Sequence, residues 1–140
     1  TSEEFTPWDI ETSGGVDRLM LVLLMDAYKE EEDRVFLSLS PKLAPYKAAV
    51  FPLLGNKPEL IEKAKGIYEN LKKDYMVSWD DRGNIGKRYA SQDEIGTPYC
   101  ITVDFDTLED EAVTVRDRDS ATQERVKISE LGDFLKSKVS

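Results

Sequence analysis

Charged residues of opposite sign alternate in "VTVRDRD", where Arg116, Asp117, Arg118 and Asp119 follow a strand-like apolar run. Arginine donates hydrogen bonds in a fixed fork and a carboxylate accepts them, so neighbouring pairs can match the donors and acceptors on the edge of a nucleobase. Because alternate residues of a strand face opposite sides, the two arginines share the side of Thr114 and the two aspartates face the other side. A charged strand end that discourages pairing at a sheet edge is the other interpretation.

A second charged cluster lies in "RGNIGKRYASQDE", with Arg82, Lys87 and Arg88 at its start and Asp93 and Glu94 at its end. Asparagine before "IGKRY" is a favourable N-cap, so the pattern predicts a helix that runs to about residue 95. The basic residues then lie in the turn and first turns of this helix, and the acidic residues lie at its far end. An ordinary surface helix of mixed charge is the alternative.

The composition excludes several classes of chemistry. The 140 residues contain no histidine, which removes the Ser/His triad and every histidine-containing zinc site. The single cysteine, Cys100, cannot form an internal disulfide, and its apolar surroundings predict a buried, reduced thiol. A net charge of −9 argues against non-specific nucleic-acid binding. The acidic stretch "DFDTLEDE" lacks the glycine of a calcium loop, so we expect a solvated loop and no metal.

The first forty residues differ in character from the rest. The pattern predicts a helix from Val16 to about Tyr28 that is apolar on every side, which is typical of a helix covered by other elements. The charged "YKEEEDR" should end this helix with solvent-exposed residues. The prolines of "SPKLAPYK" indicate a stiff linker. We therefore expect a domain boundary near residue 41, with 1–40 the end of one domain and 41–140 another. The chain begins at Thr1 without methionine, so we expect an excised piece of a longer polypeptide.

The order of elements after the linker is β-α-β-α-β-β-β-α. The apolar run "KAAVFPLL" predicts the first strand, covered on both faces, and the third runs from Tyr99 to Asp104. Apolar residues that form one stripe at helical spacing in the first helix are Leu60, Ile61, Ala64, Ile67, Tyr68 and Leu71, and those that should face inward from the last helix are Leu131, Phe134 and Leu135. Two strand–helix–strand crossovers followed by hairpins predict an α/β fold whose mixed sheet has about five strands. Its centre should be parallel and one edge antiparallel, with about three helices on its faces. The longest apolar run, "LMLVLLM", is too short to span a bilayer, so we expect no membrane partner. The lone reduced cysteine indicates a cytoplasmic protein.

The run "IGKRYASQDEIGTPYCITVDFDTLEDEAVTVRDRDS", with "LAPYKAAVFPLL" before it and "ISELGDFL" after it, resembles the C-terminal anticodon-binding domain of homodimeric glycyl-tRNA synthetases. The front segment "IETSGGVDRLMLVLL" resembles motif 3 of class II synthetases. This resemblance implies that Arg18 contacts ATP phosphates and that Glu11 and Ser13 are remnants of the ATP and glycine site. Thr12 stands where the family usually has proline, and Gly14 where a bulkier residue is common.

The resemblance implies a parent enzyme that is a homodimer and attaches glycine to tRNA with ATP and Mg²⁺. Motifs 1 and 2 are absent from these residues, so we expect the chain alone to be inactive and to need no cofactor. Its expected partner is the anticodon loop of tRNA(Gly), and no DNA partner is expected.

Glycine anticodons end in CC, and each unpaired cytosine offers the N4 amino donor with the N3 and O2 acceptors. Reading these groups requires carboxylates and cationic donors, and unstacked bases can also lie on aromatic rings. Tyr89 is a further aromatic candidate. The candidate RNA contacts are Arg82, Lys87, Arg88, Asp93, Glu94, Tyr99, Phe105, Arg116, Arg118 and Asp119.

Two other functions remain open: a non-catalytic accessory protein related to synthetases, and a structural module whose charges pair internally. The helix containing "LMLVLLM" should also expose apolar surface when its catalytic partner is missing. We expect this helix to cause self-association, or the first forty residues to be disordered.

Overall fold

The computed structural model of the chain describes residue 4 and residues 6–139. The helices are α1 (Val16–Ala27), α2 (Pro58–Leu71), α3 (Ile85–Ile95), α4 (Thr107–Asp110) and α5 (Leu131–Val139). The strands are β1 (Tyr28–Glu30), β2 (Val35–Leu37), β3 (Ala48–Pro52), β4 (Val77–Trp79), β5 (Tyr99–Val103), β6 (Ala112–Asp117) and β7 (Gln123–Lys127). A 3₁₀ turn at Ile128–Glu130 leads into α5.

The central sheet has five strands in the order β4-β3-β5-β6-β7. Strand β3 pairs in parallel with β4 and β5, while β6 pairs antiparallel with β5 and β7. The predicted mixed sheet, with a parallel centre and an antiparallel edge, is therefore confirmed. Fully buried β3 and β5 occupy the centre, which explains their nearly continuous apolar sequences.

The larger core lies on the face of the sheet covered by α2 and α5. The apolar stripe of α2 repeats with helical spacing and buries Leu60, Ala64, Ile67 and Leu71. Leu131 and Leu135 of α5 complete this layer against the valines of β6 and β7, and the ring of Phe134 packs at its margin. The predicted inward faces of both helices are confirmed.

Helix α3 covers the other face of the sheet. Its N-cap is Asn84, whose side-chain oxygen accepts a hydrogen bond of 2.9 Å from the amide of Lys87, as the sequence predicts. Ile85 and Tyr89 pack on a small buried cluster that includes Cys100. Burial raises the pKa of the Cys100 thiol to about 12, so the thiol is neutral at pH 7.

The segment before the central sheet differs from its prediction in one respect. Helix α1 is present, but "YKEEEDR" does not simply close it: residues 28–30 pair antiparallel with 35–37 in a two-stranded hairpin. The run of charged residues did not reveal these two short strands, whose one deeply buried side chain is Phe36. Residues 1–3 and 5 of the predicted first domain and residue 140 of the second lie outside the described part of the chain.

Helix α1 exposes nearly all of its apolar side chains. Met25 is 71% exposed and Leu19 is 63% exposed, whereas Ala27 at the end of the helix is buried. The apolar surface of the helix is thus uncovered, and self-association through it or disorder of the first forty residues stays a prediction. None of the described helices is long and apolar enough to cross a membrane.

Candidate nucleic-acid interface

The predicted RNA-contact residues lie at two opposite ends of the central sheet. The carboxyl ends of β3, β4 and β5 meet at one end, where Arg82, Lys87, Arg88 and Phe105 are found in or near the following loops. The other end, which starts β5 and finishes β6, holds the residues Asp93, Glu94, Tyr99, Arg116, Arg118 and Asp119. Strand β5, which connects the two ends, has five residues and therefore spans about 16 Å. The ten residues therefore do not form a single site.

A crevice opens at the carboxyl end of the parallel strands. The crossovers from β3 to β4 and from β4 to β5 run in opposite directions, so the topological switch point, where open α/β sheets bind ligands, lies between β3 and β5. A cavity of about 520 Å³ lies at the same end of the sheet, between the β3–α2 and β4–α3 loops. Its lining comprises Leu53, Leu54, Gly55, Asn56, Asp81, Gly83, Asn84 and Ile85.

The two loops touch at Gly55. A Cβ at this position would clash with the carbonyl oxygen of Asp81, so the close approach of the loops requires glycine. The amide of Leu53 donates a hydrogen bond of 2.7 Å to the carbonyl of Val103, which joins the carboxyl ends of β3 and β5. The backbone thus fixes the walls of the crevice before any ligand binds.

Solvent-exposed groups of three kinds lie in or next to the loops at this end of the sheet. Arg82 and Lys87 are exposed cations, and Asp106 is an exposed carboxylate. Phe105 is 43% exposed and Leu54 is 41% exposed, so each offers an apolar surface to solvent. Of these groups only Leu54 lines the cavity itself, and the sequence pointed only to the cations and Phe105.

Arg88 lies beneath the crevice and is only 2% exposed. Its guanidinium donates to the carbonyls of Pro52 at 2.6 Å, Leu53 at 3.0 Å and Asp80 at 3.3 Å. Its Nε finds no hydrogen-bond partner among the described residues. Burial lowers the pKa of Arg88, which shows the cost of holding its charge there. Arg88 fastens α3 to the ends of β3 and β4 instead of pointing toward solvent.

The acidic loop after β5 is organised by one arginine. Arg125 donates to Asp104 at 2.6 Å and to both carboxylate oxygens of Asp110 at 2.9 and 2.7 Å. Burial alone would raise the pKa of Asp104, but hydrogen bonds from Thr107 and the charge of Arg125 outweigh it and lower that pKa. Most residues of this loop are exposed, in agreement with the predicted solvated loop, and it also contains the short helix α4.

At the opposite end of the sheet, Arg116 and Asp93 form a buried ion pair. The two guanidinium nitrogens of Arg116 lie 2.8 and 2.9 Å from the carboxylate oxygens of Asp93, and the guanidinium also covers the ring of Tyr89 at 5.0 Å. Arg116 is 8% exposed and Asp93 is 2% exposed. This bidentate geometry satisfies both charges internally.

Arg118 is also buried, at 2% exposure. It donates to the carbonyls of Gly96 at 2.7 Å and Leu39 at 2.9 Å, and its Nε lies 3.0 Å from Asp119. Burial would raise the pKa of Asp119, but hydrogen bonds from Arg118 and Ser38 lower it. The alternating run of residues 116–119, called the charged ladder below, thus makes its contacts within the protein, as the structural interpretation expects.

The remaining predicted residues have varied environments. Tyr99 is buried, and its ring packs edge-on against Phe134 at 5.6 Å. Glu94 is exposed on α3. The predicted ATP-site residues Glu11, Ser13 and Arg18 are exposed in and before α1. Burial favours a structural role for the interior arginines, and contact with RNA stays a prediction for all ten candidates.

Comparison with known proteins places most of the chain in one family. Residues 47–138 match the family described as "Anticodon binding domain". The chain is 52% identical over 144 residues to the glycine–tRNA ligase of Borreliella afzelii, covering 99% of this chain and 32% of that protein. It is 54% identical to the glycine–tRNA ligase of Clostridium acetobutylicum, with 99% of this chain and 30% of that protein covered. The chain therefore spans about a third of the length of these curated relatives.

Proposed function

This chain belongs to the anticodon binding domain family, and we propose that it recognises the anticodon loop of tRNA(Gly) as part of a glycine–tRNA ligase. The crevice at the carboxyl end of β3, β4 and β5 is the proposed contact surface. One structural observation supports this choice above the others. Exposed cations, carboxylates and an aromatic ring lie in or next to the loops that follow β3, β4 and β5, whereas the cations of the charged ladder are buried.

The chemistry of the crevice suits an unpaired cytosine. Carboxylates such as Asp81 and Asp106 can accept a hydrogen bond from the N4 amino group, and Arg82 and Lys87 can donate to N3 and O2. Phe105 supplies a surface on which an unstacked base can lie. Because each cytosine offers both a donor and acceptors, a surface with carboxylates and cations matches two cytosines better than a purely basic surface does.

The expected energies are sufficient for selective binding. A good bidentate base contact provides about 1–3 kcal/mol of discrimination, and stacking of one base provides about 1–3 kcal/mol. The net charge of −9 repels RNA that makes no such contacts. Specificity would therefore come from a few local contacts, with weak binding to other RNA loops.

The activity of the whole protein extends this proposal. We propose that the parent is a cytoplasmic homodimer that uses ATP and Mg²⁺ to attach glycine to its tRNA. In it, Glu11, Ser13 and Arg18 would belong to the ATP and glycine site, with the Arg18 guanidinium donating to phosphate oxygens. Their exposure along and before α1 is compatible with a site completed by other residues of the parent.

The affinity of the chain for an anticodon stem-loop tests the proposal. We expect Lys87→Ala to weaken binding of a stem-loop ending in CC by about tenfold, since one charged contact to a base or phosphate is lost. Phe105→Ala should weaken it by a similar factor through lost stacking. Lys73→Ala is the matched control, because Lys73 is exposed in the turn after α2, at the other end of the sheet. Fluorescence titration at fixed salt provides the dissociation constants.

The sequence of the loop provides a second comparison. The parent chain should bind the CC stem-loop more tightly than one ending in AA, and Lys87→Ala should reduce that difference. Equal affinity for both loops, or equal effects of the Lys87 and Lys73 substitutions, would contradict the proposal. Changes at Arg88 or Arg118 are less informative, since they also remove internal hydrogen bonds.

A further inference from the structure

We infer that part of the charged ladder, Arg118 and Asp119, together with Arg34, Ser38 and Asp93 forms a latch. The latch fixes the β1–β2 hairpin, and with it the end of α1, onto the anticodon-binding sheet. It makes residues 28–39 part of the same cooperative unit as the sheet, although they precede the proline-containing linker. This inference does not depend on RNA binding.

Arg34 of the β1–β2 turn is the centre of the latch. Its guanidinium donates to the backbone carbonyls of Arg118 at 2.6 Å and Asp119 at 2.9 Å, more than eighty residues further along the chain. It also lies 3.7 Å from the buried carboxylate of Asp93 and covers the ring of Phe36 at 4.2 Å. A planar fork can hold these separate acceptors at once, which a lysine cannot do.

Two further hydrogen bonds join the residues just after β6 to the segment after β2, and a third joins that segment to α1. Arg118 donates to the carbonyl of Leu39 at 2.9 Å, and the Ser38 hydroxyl donates to Asp119 at 2.8 Å. The amide of Ser38 donates to the carbonyl of Ala27 at 2.7 Å. Since Ala27 ends α1, this last bond ties the helix to the latched segment.

The surroundings of Gly96 show that the hairpin packs closely against the end of α3. Gly96 ends α3 with φ +85°, and a Cβ there would lie 3.0 Å from the carbonyl oxygen of Leu37 and 3.0 Å from a methyl carbon of Leu39. Phe36 of β2 is buried at 4% exposure. The hairpin thus has a packed contact with α3 in addition to its hydrogen bonds.

This arrangement predicts that α1 keeps a fixed direction relative to the sheet. The helix passes directly into β1, its last residue is buried, and the latch restrains the hairpin on the side of α3. Arg118 and Asp119 both bind the segment after β2, through Leu39 and Ser38 respectively. The Arg118 side chain is buried, and the Asp119 carboxylate lies at the surface next to it.

Hydrogen exchange of the complete chain with Arg34→Ala tests the latch. We expect amides of residues 28–30 and 35–38 to exchange about tenfold faster, while those of β3 and β5 keep the exchange rates of the parent. Arg34→Lys should behave similarly, because the charge remains but the fork is lost. Arg125→Ala is the matched control: Arg125 also binds two carboxylates and a carbonyl, but at the other end of the sheet.

Selective acceleration in the hairpin supports the latch, whether or not the chain binds an anticodon stem-loop. Unchanged exchange in the hairpin, or equal acceleration in every strand, overturns it. Acceleration of the hairpin by Arg125→Ala to the same extent also overturns it, since the effect would then be general. Ser38→Ala, which removes only the hydroxyl bond to Asp119, provides a milder variant and should accelerate the same amides by about threefold.

Discussion

Arginines in this protein divide into two groups that the sequence does not distinguish. Arg82 is exposed beside the crevice, whereas Arg88 and Arg118 are each 2% exposed and bind backbone carbonyls. A buried guanidinium is stable only when several acceptors replace its water, and the structure supplies two or more for each interior arginine. The charge pattern of the sequence therefore identified arginines that make several contacts. It did not show whether these arginines are exposed to a ligand or buried in the protein.

The buried pair of Arg116 and Asp93 leads to a prediction about stability. Arg116→Ala should lower the free energy of unfolding by about 3–5 kcal/mol, because a buried carboxylate loses its bidentate partner. Asp93→Ala should cost a similar amount. The double variant should be less destabilised than the sum of the two, as urea unfolding can measure. Additive losses would mean that the two charges do not depend on each other.

Among the elements, those with long periodic patterns were predicted correctly. The stripe of α2, the N-cap of α3 and the apolar runs of β3 and β5 each fixed the type and place of one element. The β1–β2 hairpin was missed, because its strands have three residues each and consist largely of charged or exposed side chains. Its stability comes from Arg34 and Phe36 contacts with distant residues, which no local pattern reveals.

The candidate site was predicted only in part for a related reason. Arg82, Lys87 and Phe105 were named from the sequence and lie in or near the loops at the crevice end of the sheet. Leu54 and Asp81 were not named, because their loops meet only once the order of the parallel strands is known. The other candidates were grouped by residue type, and the sheet then placed them at its opposite end. The periodicity of apolar residues predicts which face of a helix or strand is buried. It does not predict which strand ends and loops lie next to each other in the sheet.

The contact between α3 and the hairpin can be tested with two glycines. Gly96 and Gly83 both have positive φ, at +85° and +65°, but a Cβ is crowded by Leu37 only at Gly96. Alanine at either position should cost about 1 kcal/mol for the left-handed backbone. We expect Gly96→Ala to cost at least about 1 kcal/mol more by thermal or urea unfolding. Equal losses would show that the hairpin does not press on α3.

In the whole molecule, the two ends of the sheet have different roles. The carboxyl end presents the crevice proposed to read the anticodon, and the other end carries the latch that holds the hairpin and α1. The exposed apolar surface of α1 lies beyond the latch, and its association with a second copy of the chain stays a prediction. This division explains how an acidic domain can keep many arginines without a basic surface.

Amide chemical shifts recorded during titration with a stem-loop ending in CC test the central claim directly. We predict that the largest changes occur in residues 53–57, 80–87 and 104–107, with much smaller changes when the loop ends in AA. The amides of residues 93–99 and 116–120 should change little. If the largest changes instead fall in those two segments, the RNA binds at the ladder, and the assignment of the crevice is wrong.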